Sequence, residues 1–239
     1  MTLACSPLLK NGTRLRNPCG LIAASFFTDK IKLSSLASSP TTVSMSEKDI
    51  AWEYDRTYNF LQPSEFKKSS TGYATNVGCA AAGMRTDCKT YYSSDDGMFY
   101  YYWYPRDEDT YYLYEMFPNN ITPMEGVTNE HFIVWMKPAA LPTFRKLYGK
   151  ISRASGTSND FKKGDVLTFS ITTNYYVKSF QGSKSLVLST KGPFGAPNVN
   201  IGISYLVCGC LCGFLGLVFL FAQLIRPRAL GSKELLKWE

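Results

Sequence analysis

The chain has 239 residues, a net charge of +7, sixteen tyrosines within a 15% aromatic content, and a single histidine. Its basic excess is diffuse, with no run of five or more Lys or Arg, so a nucleic-acid patch is not read and no nucleic-acid partner is expected. It holds no P-loop, dinucleotide fingerprint, nucleophile elbow or HExxH, and His131 stands alone, so neither an enzyme nor a cofactor is expected.

In chain order, residues 1–34 carry Cys5, Cys19 and an apolar patch from Cys19 to Phe27, entered by a turn at Asn17-Pro18. Periodicity leaves a short helix and a buried strand both open for that patch. Residues 34–48 read as a polar loop, followed by Asp49-Ile50-Ala51-Trp52 and the aromatics Tyr54, Tyr58 and Phe60. Residues 62–98 hold Gly72, Gly78, Gly83, Gly97, Cys79 and Cys88, and read as an insertion, a mobile surface excursion. Residues 99–117 place two aromatic runs around Pro105–Asp109, which predicts a hairpin-like turn with Asp107, Glu108 and Asp109 as a solvated charge run. The aromatics fit either cross-strand packing or a carbohydrate- or choline-binding cage.

Within 129–151, Phe132 to Met136 form a buried element that Pro138 and Pro142 break; Phe144, Leu147, Tyr148 and Ile151 then repeat at helical spacing. Leu167, Phe169 and Ile171 alternate with Thr168, Ser170 and Thr172, and Ser185–Ser189 returns after Gln181–Lys184, a predicted β-hairpin. Gly192, Pro193, Gly195 and Pro197 lead to Ile201–Ile225, twenty-five uncharged residues. At about 1.5 Å per residue that helix crosses a hydrocarbon core of roughly 30 Å. Pro227 stops it. Arg226, Arg228, Lys233 and Lys237 against Glu234 and Glu239 give the tail, 226–239, a net charge of +2 and leave +5 for the rest. The positive-inside rule then puts the tail in the cytoplasm and residues 1–200 on the lumenal or extracellular side. Gly202, Gly209, Gly213 and Gly216 fall near one face, as a partner-helix packing surface or as the ordinary glycine content of a membrane helix.

The start, MTLACSPLLKNGTRLRNPC, is not a signal peptide, since it lacks an apolar run of about seven to fifteen residues and a small-residue cleavage site. Either an earlier segment carries the domain across the membrane, or the protein is tail-anchored with a cytosolic domain. Of seven cysteines, Cys208, Cys210 and Cys212 lie in the span, and Cys5, Cys19, Cys79 and Cys88 form an even set. Those four pair by neighbours in an oxidising compartment, Cys5–Cys19 contributing about 3 kcal/mol, or stay reduced and buried. Their spacing is not that of zinc ligands, so no metal site is expected. The triplets Asn11-Gly12-Thr13 and Asn120-Ile121-Thr122 are glycosylation sequons consistent with a secretory-pathway surface, although Pro123 works against the second.

Several stretches together resemble the cell division control protein 50 (ligand-effect modulator) family, the non-catalytic subunits of type IV P-type ATPases that flip phospholipids. These are Asn17-Pro18-Cys19-Gly20-Leu21-Ile22-Ala23, Ile50-Ala51-Trp52, and above all His131–Met136 through Ala139–Tyr148. Asn174–Val177, Ser179–Lys184, Leu188–Thr190, Ile201–Tyr205 and Arg226-Pro227-Arg228 extend the match. Ala24, Pro138 and Gly195-Ala196-Pro197-Asn198 depart from the family pattern. The resemblance implies two membrane helices around a β-sandwich-like exoplasmic domain of mainly β (α+β) class, with disulfides and N-glycans. It therefore implies a first helix and an early ectodomain ahead of this sequence. Cys5 and Cys19 match the family's later disulfide in spacing; Cys79–Cys88 has no counterpart. The expectation is an accessory subunit in the lipid bilayer of the endoplasmic reticulum, Golgi, endosome or plasma membrane. It would clamp the exoplasmic loops of the ATPase catalytic subunit and support folding, exit from the endoplasmic reticulum and the transport cycle. The alternative is a single-pass cell-surface receptor or glycan-binding domain using the tyrosine-rich segment.

Overall fold

The computed structural model describes residues 5–36, 43–153, 161, 165–190 and 199–227. Gly12, at φ +62°, turns the chain between β1 (Lys10–Asn11) and β2 (Arg14–Asn17), an antiparallel pair. Cys5 and Cys19 are disulfide-bonded across its open end, with Cα atoms 5.3 Å apart. The apolar patch that follows is helical only over α1 (Leu21–Ala24), whose Ala23 faces the core.

The strands build four small sheets. β3 (Lys30–Leu36) pairs antiparallel with β10 (Leu167–Thr172), placing Ile31 opposite Ile171 and Leu33 opposite Phe169. This replaces the expected hairpin: residues 182–190 form no strand. The alternation of β3 matches that of β10, so apolar residues meet across the ladder. The Asp29 carboxylate holds the far end of β10 by accepting from the backbone N–H of Asn174 (2.7 Å) and Tyr175 (2.6 Å). β4 (Val43–Ser46) pairs with β9 (Lys150–Arg153). The stretch read as a polar loop therefore contains the end of β3 and all of β4; residues 37–42 between them lie outside the described residues.

β5 (Lys67–Lys68) and β6 (Lys89–Tyr92) flank β7 (Phe99–Trp103). Residues 62–98 thus contribute two strands, and Tyr101 pins their loop by accepting from Gly78 N (3.0 Å) and donating to Asn76 Oδ1 (2.6 Å). β8 (Thr110–Tyr112) runs parallel to β2. The two aromatic runs therefore enter different sheets instead of pairing as a hairpin. Their turn does not hold a free charge run either: Asp107 pairs with Lys89 at 2.9 Å, and its carbonyl accepts from Arg14 at 2.6 Å.

The core forms where these sheets meet α2 (Leu113–Met116) and α3 (Glu130–Met136). Tyr102, Tyr104, Tyr112 and Tyr114 are buried in it together with Phe26, Leu113, Ile121 and Phe132. The tyrosine rings contact one another at centroid distances of 4.5–6.3 Å, partly edge-on, the arrangement that ring quadrupoles favour.

The chain divides into two compact units, Met1–Ser179 and Phe180–Glu239. The second contains α4 (Val199–Ile225), 27 residues and about 40 Å long, starting two residues before the expected point and ending before Pro227. Among the described residues it is the one helix long and apolar enough to cross a membrane. The expected linker at 192–197 and the tail beyond Pro227 lie outside the described residues.

Candidate partner-docking site

The best-built surface of the first unit surrounds α3. Asn129 caps it: the side-chain oxygen accepts from Phe132 N at 3.1 Å, satisfying one of the helix's unpaired donors. Glu130 then reaches sideways to accept from the backbone N–H of Asp49 and Ala51, each at 3.0 Å, and from Arg56 at 3.3 Å. Burial alone would raise its pKa; the Ala51 and Asp49 N–H groups and the Arg56 charge outweigh that and hold the carboxyl below its ordinary value. His131 bonds Glu47 at 3.0 Å and packs on Tyr148 at 4.6 Å between ring centroids.

The far end of α3 is closed by Lys146. Its ammonium donates to the carbonyls of Val134 (2.9 Å), Trp135 (2.7 Å) and Lys137. Burial pushes that ammonium's pKa down. The helical spacing read at Phe144–Ile151 does not become a helix: residues 137–149 are irregular. Pro138 and Pro142 break the ladder. Side chains hold the segment instead, Lys146 on α3 and the Tyr148 hydroxyl accepting from Ile31 N at 3.0 Å.

Because this segment does not fold back as a helix, its apolar residues face outward. Leu141 is 70% exposed, Phe144 51% and Leu147 47%; Trp52, from the stretch Ile50–Trp52, is 68% exposed. Between Ile50–Trp52, α3 and Lys137–Leu147 lies a groove of about 360 Å³. Lys137 crosses it, 2.6 Å from Asp55 Oδ2 and 5.0 Å from the Trp52 ring centroid. That Lys137 hydrogen bond, then one from Asn59, holds the Asp55 carboxyl below its ordinary value against the effect of burial. Arg145 lines the same groove and is exposed. The surface can bind; it brings no nucleophile and base together.

The cysteine pairs expected from sequence are both bonded, Cys79–Cys88 with Cα atoms 5.9 Å apart. The second loop clasps β7: Arg85 sits 4.4 Å over the Trp103 ring, and Trp103 Nε1 donates to Asp87 at 3.3 Å. Asn11 is exposed at the β1–β2 turn, whereas Asn120 is half-buried and its Nδ2 donates to the Thr28 carbonyl at 3.0 Å. Of the aromatics in residues 99–117, Tyr101, Tyr102, Tyr104, Tyr112 and Tyr114 are buried and follow the packing reading, while Phe99, Tyr100, Trp103 and Tyr111 are half-buried. Desolvation pushes the Tyr102 hydroxyl up to about 12. Gly202, Gly209, Gly213 and Gly216 all lie on α4, within about 60° of its circumference, and a Cβ on any of them would meet no atom within 4 Å. Lys137, Asp55 and the capping role of Lys146 carried no signal in periodicity, because they act through partners distant in sequence.

The family model described as LEM3 (ligand-effect modulator 3) family / CDC50 family matches residues 1–229. ALA-interacting subunit 3 of Arabidopsis thaliana is 33% identical over 238 residues, covering 98% of this chain and 53% of that protein. Cell cycle control protein 50A of Mus musculus is 33% identical over 220 residues, covering 90% of this chain and 52% of that protein. The chain spans about half the length of the curated relatives it matches.

Proposed function

Because the chain belongs to the LEM3 (ligand-effect modulator 3) / CDC50 family, we propose that it is the non-catalytic accessory subunit of a phospholipid-flipping type IV P-type ATPase. One observation carries this reading: 98% of the chain aligns with a protein named as an ALA-interacting subunit. In this reading α4 anchors the chain in the bilayer with its basic end cytoplasmic, and the sheet-rich unit lies on the exoplasmic side. Two disulfides suit that oxidising side, and Asn11 is its better-placed glycan acceptor. The glycine stripe of α4 packs on a membrane helix of the ATPase, and the surface around α3 meets its exoplasmic loops. The subunit supports folding of the ATPase, exit from the endoplasmic reticulum and the transport cycle; ATP hydrolysis and lipid passage belong to the partner.

The test is purification of the tagged full chain from native membranes. Recovery of a type IV P-type ATPase, with a mobility shift on glycosidase treatment that Asn11→Gln removes, is the expected result. A chain that leaves the endoplasmic reticulum unaccompanied, with no ATPase recovered and Cys5 and Cys19 freely alkylated, overturns the reading.

A further inference from the structure

Three cations line the groove beside α3, and two are committed. Lys137 is paired with Asp55 at 2.6 Å, and Lys146 donates to backbone carbonyls at the end of α3. Arg145 is exposed and has neither an ion pair nor a hydrogen bond among the described residues. Beside it stand the exposed apolar surfaces of Trp52 and Leu147. A guanidinium and a tryptophan on the wall of one groove are the residue types that dominate protein interfaces.

We infer that this groove captures an acidic peptide loop, an aliphatic side chain lying against Trp52 and Leu147 while an Asp or Glu carboxylate pairs with Arg145. The inference rests on the accessory-subunit reading and names the chemistry of the partner loop at that surface. Charge and size select a peptide. Recognition of anionic lipid head groups takes clusters of about four to eight cations, whereas this groove offers one uncommitted guanidinium with Asp55 nearby. A single carboxylate matches a guanidinium fork in a two-bond geometry. The room, about 360 Å³, lies at the small end of ligand pockets, sized for a side chain or two.

The experiment is co-purification of the full chain with its co-expressed ATPase, comparing wild type with Arg145→Glu, Arg145→Lys and Trp52→Ala, each first checked for an unchanged unfolding temperature. Binding of synthetic peptides spanning the ATPase's exoplasmic loops is measured in parallel. Arg145→Glu is expected to reduce ATPase retention and peptide affinity at least about tenfold, with partial recovery in Arg145→Lys and a comparable loss in Trp52→Ala. Acid-to-amide substitution in the bound peptide should cost the wild type the same factor and cost Arg145→Glu nothing further. Retention equal to wild type in Arg145→Glu overturns the inference while leaving the accessory-subunit reading intact. Absence of any ATPase with the wild-type chain overturns that reading instead. Displacement by short-chain phosphatidylserine, but by no peptide, assigns the groove to lipid and overturns the peptide.

Discussion

Lys146 Nζ lies 2.7 Å from the carbonyl oxygen of Trp135, eleven residues earlier in the chain. The last carbonyls of a helix have no partner within it, and a cation there also meets the negative end of the helix dipole. One side chain therefore holds the irregular segment 137–149 in place and finishes α3. Lys146→Met is expected to lower stability by about 1–2 kcal/mol. Thermal unfolding of the detergent-solubilised chain checks this; an unchanged midpoint would show that water replaces the ammonium without cost.

Glu130 ties α3 to the segment at Asp49–Ala51. Its pKa is depressed in the fold, so its contribution is fully present above the unfolded carboxyl value and is lost as pH falls through the folded one. Solvent screening limits that contribution to about 1 kcal/mol. Glu130→Gln should therefore destabilise the protein at neutral pH and flatten the fall in stability below about pH 4.5. Denaturant midpoints of both proteins between acid and neutral pH measure the difference; parallel curves would exclude the role.

Gly126 and Gly12 make a matched pair. Both have positive φ, +51° and +62°. A Cβ on Gly126 would lie 2.5 Å from both the Tyr104 hydroxyl and Gln62 Nε2, while one on Gly12 meets nothing within 4 Å. Gly12→Ala is expected to cost about 1 kcal/mol from backbone strain, and Gly126→Ala about 2–3 kcal/mol from strain plus the clash with a buried tyrosine. Equal losses in unfolding measurements would mean that Gln62 and Tyr104 yield freely.

Gly209 and Gly213 sit one turn apart on the small-residue stripe of α4. Branched side chains there hold a neighbouring helix away. The double substitution Gly209→Ile and Gly213→Ile should reduce co-purified ATPase severalfold at unchanged expression, whereas Leu211→Ile on another face should not. Equal retention by both would remove the stripe from the interface.

Local signals were read correctly where the physics is local. The uncharged run became α4, Phe132–Met136 became the greater part of α3 with Phe132 and Ile133 buried and the other three half-buried, and neighbouring cysteines bonded. Pairing at a distance was misread. The alternation of Leu167–Ile171 identifies a strand, but its partner is not the expected Ser185–Ser189; it is β3, well over a hundred residues earlier. The aromatic run 99–117 was open between packing and a cage, and burial chose packing for Tyr101, Tyr102, Tyr104, Tyr112 and Tyr114.

Composition and periodicity alone determined a membrane-length helix and a strand-rich remainder, and short motifs such as His131–Met136 and Ala139–Tyr148 carried the family resemblance, because hydropathy, propensity and motifs are properties of neighbouring residues. Only the tertiary structure decided that Lys146 closes α3, that Lys137 is spent on Asp55, and that Arg145 and Trp52 share an open groove. The reason is physical: a charge's partner, or its lack of one, is set by which distant segments the fold brings within a few ångströms of it.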